Sequence, residues 1–182
     1  YAYELLAELE NDVKNKVIAR ADASEAKKGE FLREIARTEL LAHFPKSGSV
    51  AAEGQAIARH IFVGGLFAAD QLDWRIEKTV KQLSRGLLEA VNQIDSDFVS
   101  GACIVTRAAI QATILADADT EKATDKVLAE ILAAGEDKSC SRKELTKQIS
   151  RAAAKAVKSF PKKKKASIEK LLLKLLEDEF ME

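Results

Sequence analysis

Apolar side chains recur at helical spacing along nearly the whole chain. Leu5, Leu9, Val13, Val17 and Ala21 fall every four residues, with Glu8, Asp12, Lys16 and Arg20 turned elsewhere. That pattern predicts an amphipathic helix. Ser24 is placed to cap a second one, whose apolar side holds Phe31, Leu32, Ile35, Leu41 and Phe44. Phe44-Pro45 stops it, because the residue before proline avoids helical geometry. Pro45-Lys46-Ser47-Gly48-Ser49 then reads as the clearest internal loop. A third helix starts near Val50, and Gly64-Gly65 either breaks it or lets two backbones approach. From Leu72 to Ile94 the period is strong, through Ile76, Val80, Leu83, Leu87 and Val91. Asp95-Ser96-Asp97 is a turn and N-cap cluster.

The stretch from Phe98 to Ala116 is apolar almost all round and rich in small residues, among them Gly101, Ala102, Ala108, Ala109 and Ala112. Such a helix suits the centre of a bundle, where small side chains allow tight packing. Asp119 or Thr120 caps the next helix, Ala123–Ala134, with Gly135 at its end. Ser141 and Glu144 form an S-x-x-E capping box, and the helix they open lays Leu145, Ile149, Ala152, Ala156 and Phe160 along one side. Pro161 and four lysines follow, then a Leu-rich helix from Ile168 to about Phe180.

The expected fold is therefore all-α: a compact bundle of about six or seven amphipathic helices around the small-residue-rich helix 98–116. The bundle is expected to span 1–160. Residues 161–182 are expected to be a Lys-rich linker and a C-terminal amphipathic helix docked on it. One internal echo, Ile35…Phe44-Pro45-Lys46 against Ile149…Phe160-Pro161-Lys162, covers few residues. Phe-Pro-Lys is a generic helix stop, so it gives little reason to expect duplication.

Composition supports this class and removes others. Hydrophobic residues make up 47% and charged residues 32% of 182, with only two prolines. That is too apolar for a disordered chain and too poor in turn residues for an all-β fold. The windows Ala56–Ala69 and Phe98–Ala116 read as core helices: the first is short and the second carries Arg107 near its middle. The chain opens Tyr1-Ala2-Tyr3 without a Met, so a leader peptide is not judged from this end. Two cysteines, Cys103 and Cys140, make no scaffold and no metal spacing, and free thiols suit a reducing cytoplasm.

Charge changes the picture more. Lys+Arg and Asp+Glu are both 29, yet residues 138–174 hold 13 basic side chains against 2 acidic ones. Lys143, Lys147, Arg151 and Lys155 are spaced by four and share one side of the capped helix. Lys162, Lys163, Lys164 and Lys165 follow. A basic amphipathic helix over 141–160 suits an anionic partner. Such cations also suit a solvated face, or one neutralised internally by the acidic stretch 117–137 or the tail Glu177, Asp178, Glu179 and Glu182.

Catalytic signatures are missing. Neither histidine, His43 or His60, lies in a recognisable motif. His43 is placed to meet the dipole at its helix end, and His60 reads as a satisfied, partly buried side chain. No phosphate loop, nucleophile elbow or Glu-x-x-His pair occurs. Asp117-Ala-Asp119-Thr-Glu121 fails as a calcium loop, because Lys122 and Leu128 stand where glycine and glutamate are needed. We therefore expect no enzyme, cofactor or metal. The expectation is an interaction or adaptor protein, an accessory subunit of a larger assembly. Its partner residues are the stripe Lys143, Lys147, Arg151 and Lys155, the lysines 162–165, Trp74 as an aromatic anchor and Leu173 as an outward leucine. Another protein is the first partner expected. Anionic lipid or a lipid granule, and nucleic acid, are the alternatives through 138–174. The apolar helices are also compatible with a homodimer.

Overall fold

The computed structural model describes residues 3–44, 52–94 and 97–181. The expected loop 45–49 and the cap residues Asp95 and Ser96 lie outside them. Among these residues eight helices follow in order: α1 (Tyr3–Ile18), α2 (Glu25–His43), α3 (Ala52–Gln71), α4 (Ile76–Ile94), α5 (Phe98–Leu115), α6 (Thr120–Gly135), α7 (Arg142–Ala156) and α8 (Lys162–Phe180). The all-helical class is as expected, and the count exceeds the expected six or seven. The extra turn of helix comes from the Lys-rich segment: residues 162–165, expected as linker, are the first turn of α8.

Local chemistry accounts for the helix starts. The Ser24 hydroxyl accepts the Lys27 N–H, Asp97 accepts the Val99 N–H at 3.1 Å, and Asp119 accepts the Lys122 N–H at 3.1 Å. The Asp97 carboxyl is held below its ordinary value of 3.8, chiefly by the Ser100 hydroxyl donating to it. Of the expected capping box at α7, Ser141 does its part by accepting the Glu144 N–H at 3.0 Å. The Glu144 carboxylate turns instead to the Gln148 amide at 2.7 Å.

Each helix packs on the next and on the next but one, and on none further along among the described residues. Two rows result, α1-α3-α5-α7 and α2-α4-α6-α8, stacked as four helical pairs. The position expected for α5, buried among α3, α4, α6 and α7, is shared in kind by its neighbours: α4, for example, touches α2, α3, α5 and α6. In the even row, Lys78 reaches Glu25 at 3.7 Å, Lys122 reaches Glu77 at 3.9 Å and the Ser167 hydroxyl donates to Glu121 at 2.8 Å. These contacts bring the starts of α2, α4, α6 and α8 together, so the four hairpin turns share one edge of the stack.

Gly64 and Gly65 do not break α3. A Cβ on Gly64 would lie 2.6 Å from the Glu10 carbonyl oxygen, so glycine there is what lets α1 and α3 approach.

The stack repeats in register. The starts of α4 and α6, the ends of α3 and α5, and the starts of α5 and α7 are each 44 residues apart. Buried positions follow: Ile61, Val105 and Ile149 share one, and Ala68, Ala112 and Ala156 another. The turns after α3 and α5 are copies. Asp73 and Asp117 adopt φ of 55° and 50°. The Trp74 N–H donates to the Ala69 carbonyl and the Ala118 N–H to the Thr113 carbonyl, both at 2.8 Å. This is a Schellman closure with aspartate where glycine is usual. Asp117→Gly is expected to be neutral or stabilising by a few tenths of a kcal/mol, whereas Asp117→Val costs about 1–2 kcal/mol, both read from urea unfolding. The Phe-Pro-Lys echo does not match this repeat, since Phe44 follows the second helix of a pair and Phe160 the first.

Candidate partner surface

The α7 helix buries Leu145, Ile149, Ala152, Ala153 and Ala156. Lys143, Lys147, Arg151 and Lys155 are consequently turned outward, and all four are exposed. Lys143 lies over the Phe180 ring, 5.9 Å from its centroid. No carboxylate of the described residues comes within ion-pair distance of the four.

Four carboxylates of the acidic stretch expected as an internal partner are engaged elsewhere. Glu130 takes Arg85 at 2.9 Å and Lys126 at 3.8 Å. Glu121 accepts from Ser167, and Asp119 caps α6. Glu136 and the tail residue Glu179 both reach α7, but at Arg142, which is off the stripe, at 3.9 and 3.0 Å. Elsewhere Lys28, Arg33, Arg37, Lys78 and Lys122 each meet a glutamate. Other described cations, among them Lys14, Lys27 and Lys81, also meet no carboxylate, so the stripe is set apart by the alignment of four like charges on one helix side.

Lys162, Lys163, Lys164 and Lys165 stand at the start of α8. Pro161 caps it without a side-chain hydrogen bond, and no acidic residue lies in the first turn. Four positive charges therefore sit at the positive end of the helix dipole, an unfavourable arrangement left to itself. Lys165 alone has a short-range offset, Glu169 at 3.9 Å.

The other two expected anchors lie apart from the stripe. Trp74 sits in the α3–α4 turn against the even row and is half-buried, with the Lys28 ammonium 5.0 Å from its ring. It lines a cavity of about 470 Å³ with Glu25, Arg75, Lys78, Lys81 and Gln82. Leu173 is 58% exposed on α8, opposite the buried Ile168 and Leu172.

Two arginines absent from the sequence-derived set lie on the same row as α7: Arg107 on its neighbour α5, and Arg59 on α3, one helix further away. Repeat register puts Val99, Cys103, Arg107 and Gln111 of α5 at the positions of the α7 stripe, and Gln55, Arg59, Val63 and Phe67 of α3 at the same positions again. Arg59 Nη1 donates to Gln111 Oε1 at 3.3 Å, and Gln55 Nε2 donates to the same oxygen at 3.1 Å. Burial pushes the Cys103 thiol above its usual range, while neighbouring Arg107 and Lys155 pull it down. Cys103 and Lys155 stand at the positions of Arg59 and Gln111, 44 residues further along. In both arginines the buried Nε has no acceptor.

The histidines carry no catalytic arrangement of this kind. His60 is buried and pairs with Glu10 across the α1–α3 seam. His43, in the last turn of α2 where the helix dipole was expected to meet it, also lies 3.4 Å from Glu39. Among the described residues no three His, Cys, Asp or Glu side chains gather to hold a metal ion. Among the described residues one helix, Phe98–Leu115, is long and apolar enough to cross a membrane, and most of it is buried within the stack. Compared with known proteins, the chain matches no family model and no curated sequence.

Proposed function

We propose that the chain is a non-enzymatic helical adaptor, an accessory subunit that offers the basic face of α7 to an anionic surface of another protein. The observation that carries this reading is the stripe Lys143, Lys147, Arg151 and Lys155: exposed, single-signed and without carboxylate partners among the described residues. Like charges four apart on a helix repel one another. Folding gains nothing from that arrangement, whereas an external anion does. The stacked pairs supply the rigid support that such a surface needs. A reducing compartment such as the cytoplasm suits the two free thiols.

The test is affinity capture from a native lysate, at low and high salt. The intact chain is compared with one carrying Lys143→Glu, Lys147→Glu, Arg151→Glu and Lys155→Glu. We expect a protein partner retained at low salt, released at high salt and lost with the substitutions. Capture that ignores both salt and substitutions would contradict the reading. Flotation with anionic vesicles in place of protein capture would transfer it to a lipid surface.

A further inference from the structure

The cationic surface does not stop at α7. Arg107 of α5 and Lys155 of α7 both act electrostatically on the Cys103 thiol, and one turn further along α5 Gln111 accepts from Arg59 of α3. Arg59 shares a register position with Lys147, where α5 has Cys103, and Arg107 shares the next with Arg151, where α3 has Val63, so two neighbouring positions together place cations on all three helices of the row. Neighbouring helix axes are about 8–10 Å apart, so the band is about 20 Å wide. An extended chain advances about 3.3 Å per residue, and roughly six residues would cross it. The band's chemistry narrows the occupant. Guanidinium groups pair with carboxylates, and both arginines are half-buried with the Nε inward, so their terminal nitrogens are the ones a carboxylate would meet. The Gln55 and Gln111 amides can both donate and accept, matching a peptide backbone. Phe67, 38% exposed at the far end of the α3 stripe, offers one apolar contact. A single ring is not the succession of stacking platforms that single-stranded nucleic acid uses.

We infer that the odd-row face binds an extended acidic segment of another protein, laid across α3, α5 and α7, with carboxylates on Arg59, Arg107 and the α7 cations and an apolar side chain on Phe67. This rests on the reading of α7 as a partner surface and extends it to two further helices.

The test is fluorescence anisotropy at low salt with the full chain. One probe is a labelled twelve-residue Asp/Glu peptide bearing a single Leu, the other a labelled twelve-nucleotide oligothymidylate. Two variants are compared with the parent: Arg59→Gln/Arg107→Gln, and Lys147→Gln/Arg151→Gln/Lys155→Gln. Thermal unfolding verifies that both fold. The parent is expected to bind the peptide more tightly than the oligonucleotide, and each variant to weaken peptide binding by about tenfold or more. If only the α7 variant weakens binding, the α7 reading stands and the extension fails. If neither does, or the peptide does not bind, both fail for this class of partner. Tighter binding of the oligonucleotide overturns the acidic segment as occupant.

Discussion

Gly86→Ala is expected to destabilise the chain by about 3 kcal/mol, near the top of the range for overpacking. Gly86 lies in α4 where α2 crosses it. A Cβ there would be 2.2 Å from the Arg33 carbonyl oxygen and 2.9 Å from the Ala36 Cβ. The first of these atoms is backbone, so relief requires α2 to move as a whole. The intrinsic helical preference of alanine over glycine, about 1 kcal/mol, does not offset that. Gly29 provides the control on the same helix pair. A Cβ at Gly29 meets the Gln82 amide at 3.2 Å, the end of a flexible side chain. Gly29→Ala is therefore expected to be neutral or to gain up to about 1 kcal/mol. Urea unfolding of the two variants should move in opposite directions. Equal behaviour would mean that α2 and α4 are not in such close contact at Gly86.

Ile149→Ala carries the second large effect, about 3 kcal/mol in the same measurement. Ile149 is fully buried on α7, directly opposite the stripe. Truncation leaves a cavity in the last helical pair. Because each pair touches only its neighbours, the loss should be felt locally. Hydrogen exchange should lose protection over α7 and α8 first, while α1 to α4 remain protected. A uniform loss of protection along the chain would instead indicate one cooperative core.

Much of the helical content was legible from periodicity, because amphipathic spacing is a local property. Asp97, Asp119 and Ser141 cap helices as their chemistry suggests. The stacked order was less visible. The repeat is carried by equivalent burial and not by identical residues: Leu83 and Val127 are equivalent, as are Leu87 and Ile131. A comparison of the chain with itself at a shift of 44 would have found Asp73 with Asp117 and Glu77-Lys78 with Glu121-Lys122. The α7 stripe was readable because one helix carries it. Arg59 and Arg107 were not, because their place on the same row depends on helices packing side by side. Residues 162–165 were misread for an opposite reason. Four lysines argue against a helix start by dipole, yet Ile168 and Leu172 bury the helix on its neighbours regardless.

The proposed function stands or falls on whether the α7 cations are left uncompensated by the fold. The most direct measurement is the unfolding free energy, in low salt, of Lys147→Gln/Arg151→Gln/Lys155→Gln against the parent chain. The substitutions remove three like-charge pairs at i,i+4, each unfavourable by about 0.2–0.5 kcal/mol. The expected result is unchanged stability or a gain of roughly 0.5 kcal/mol. A loss above about 1 kcal/mol, more than exposed ion pairs usually contribute, would show that the stripe is paired within the folded chain and is not kept for a partner.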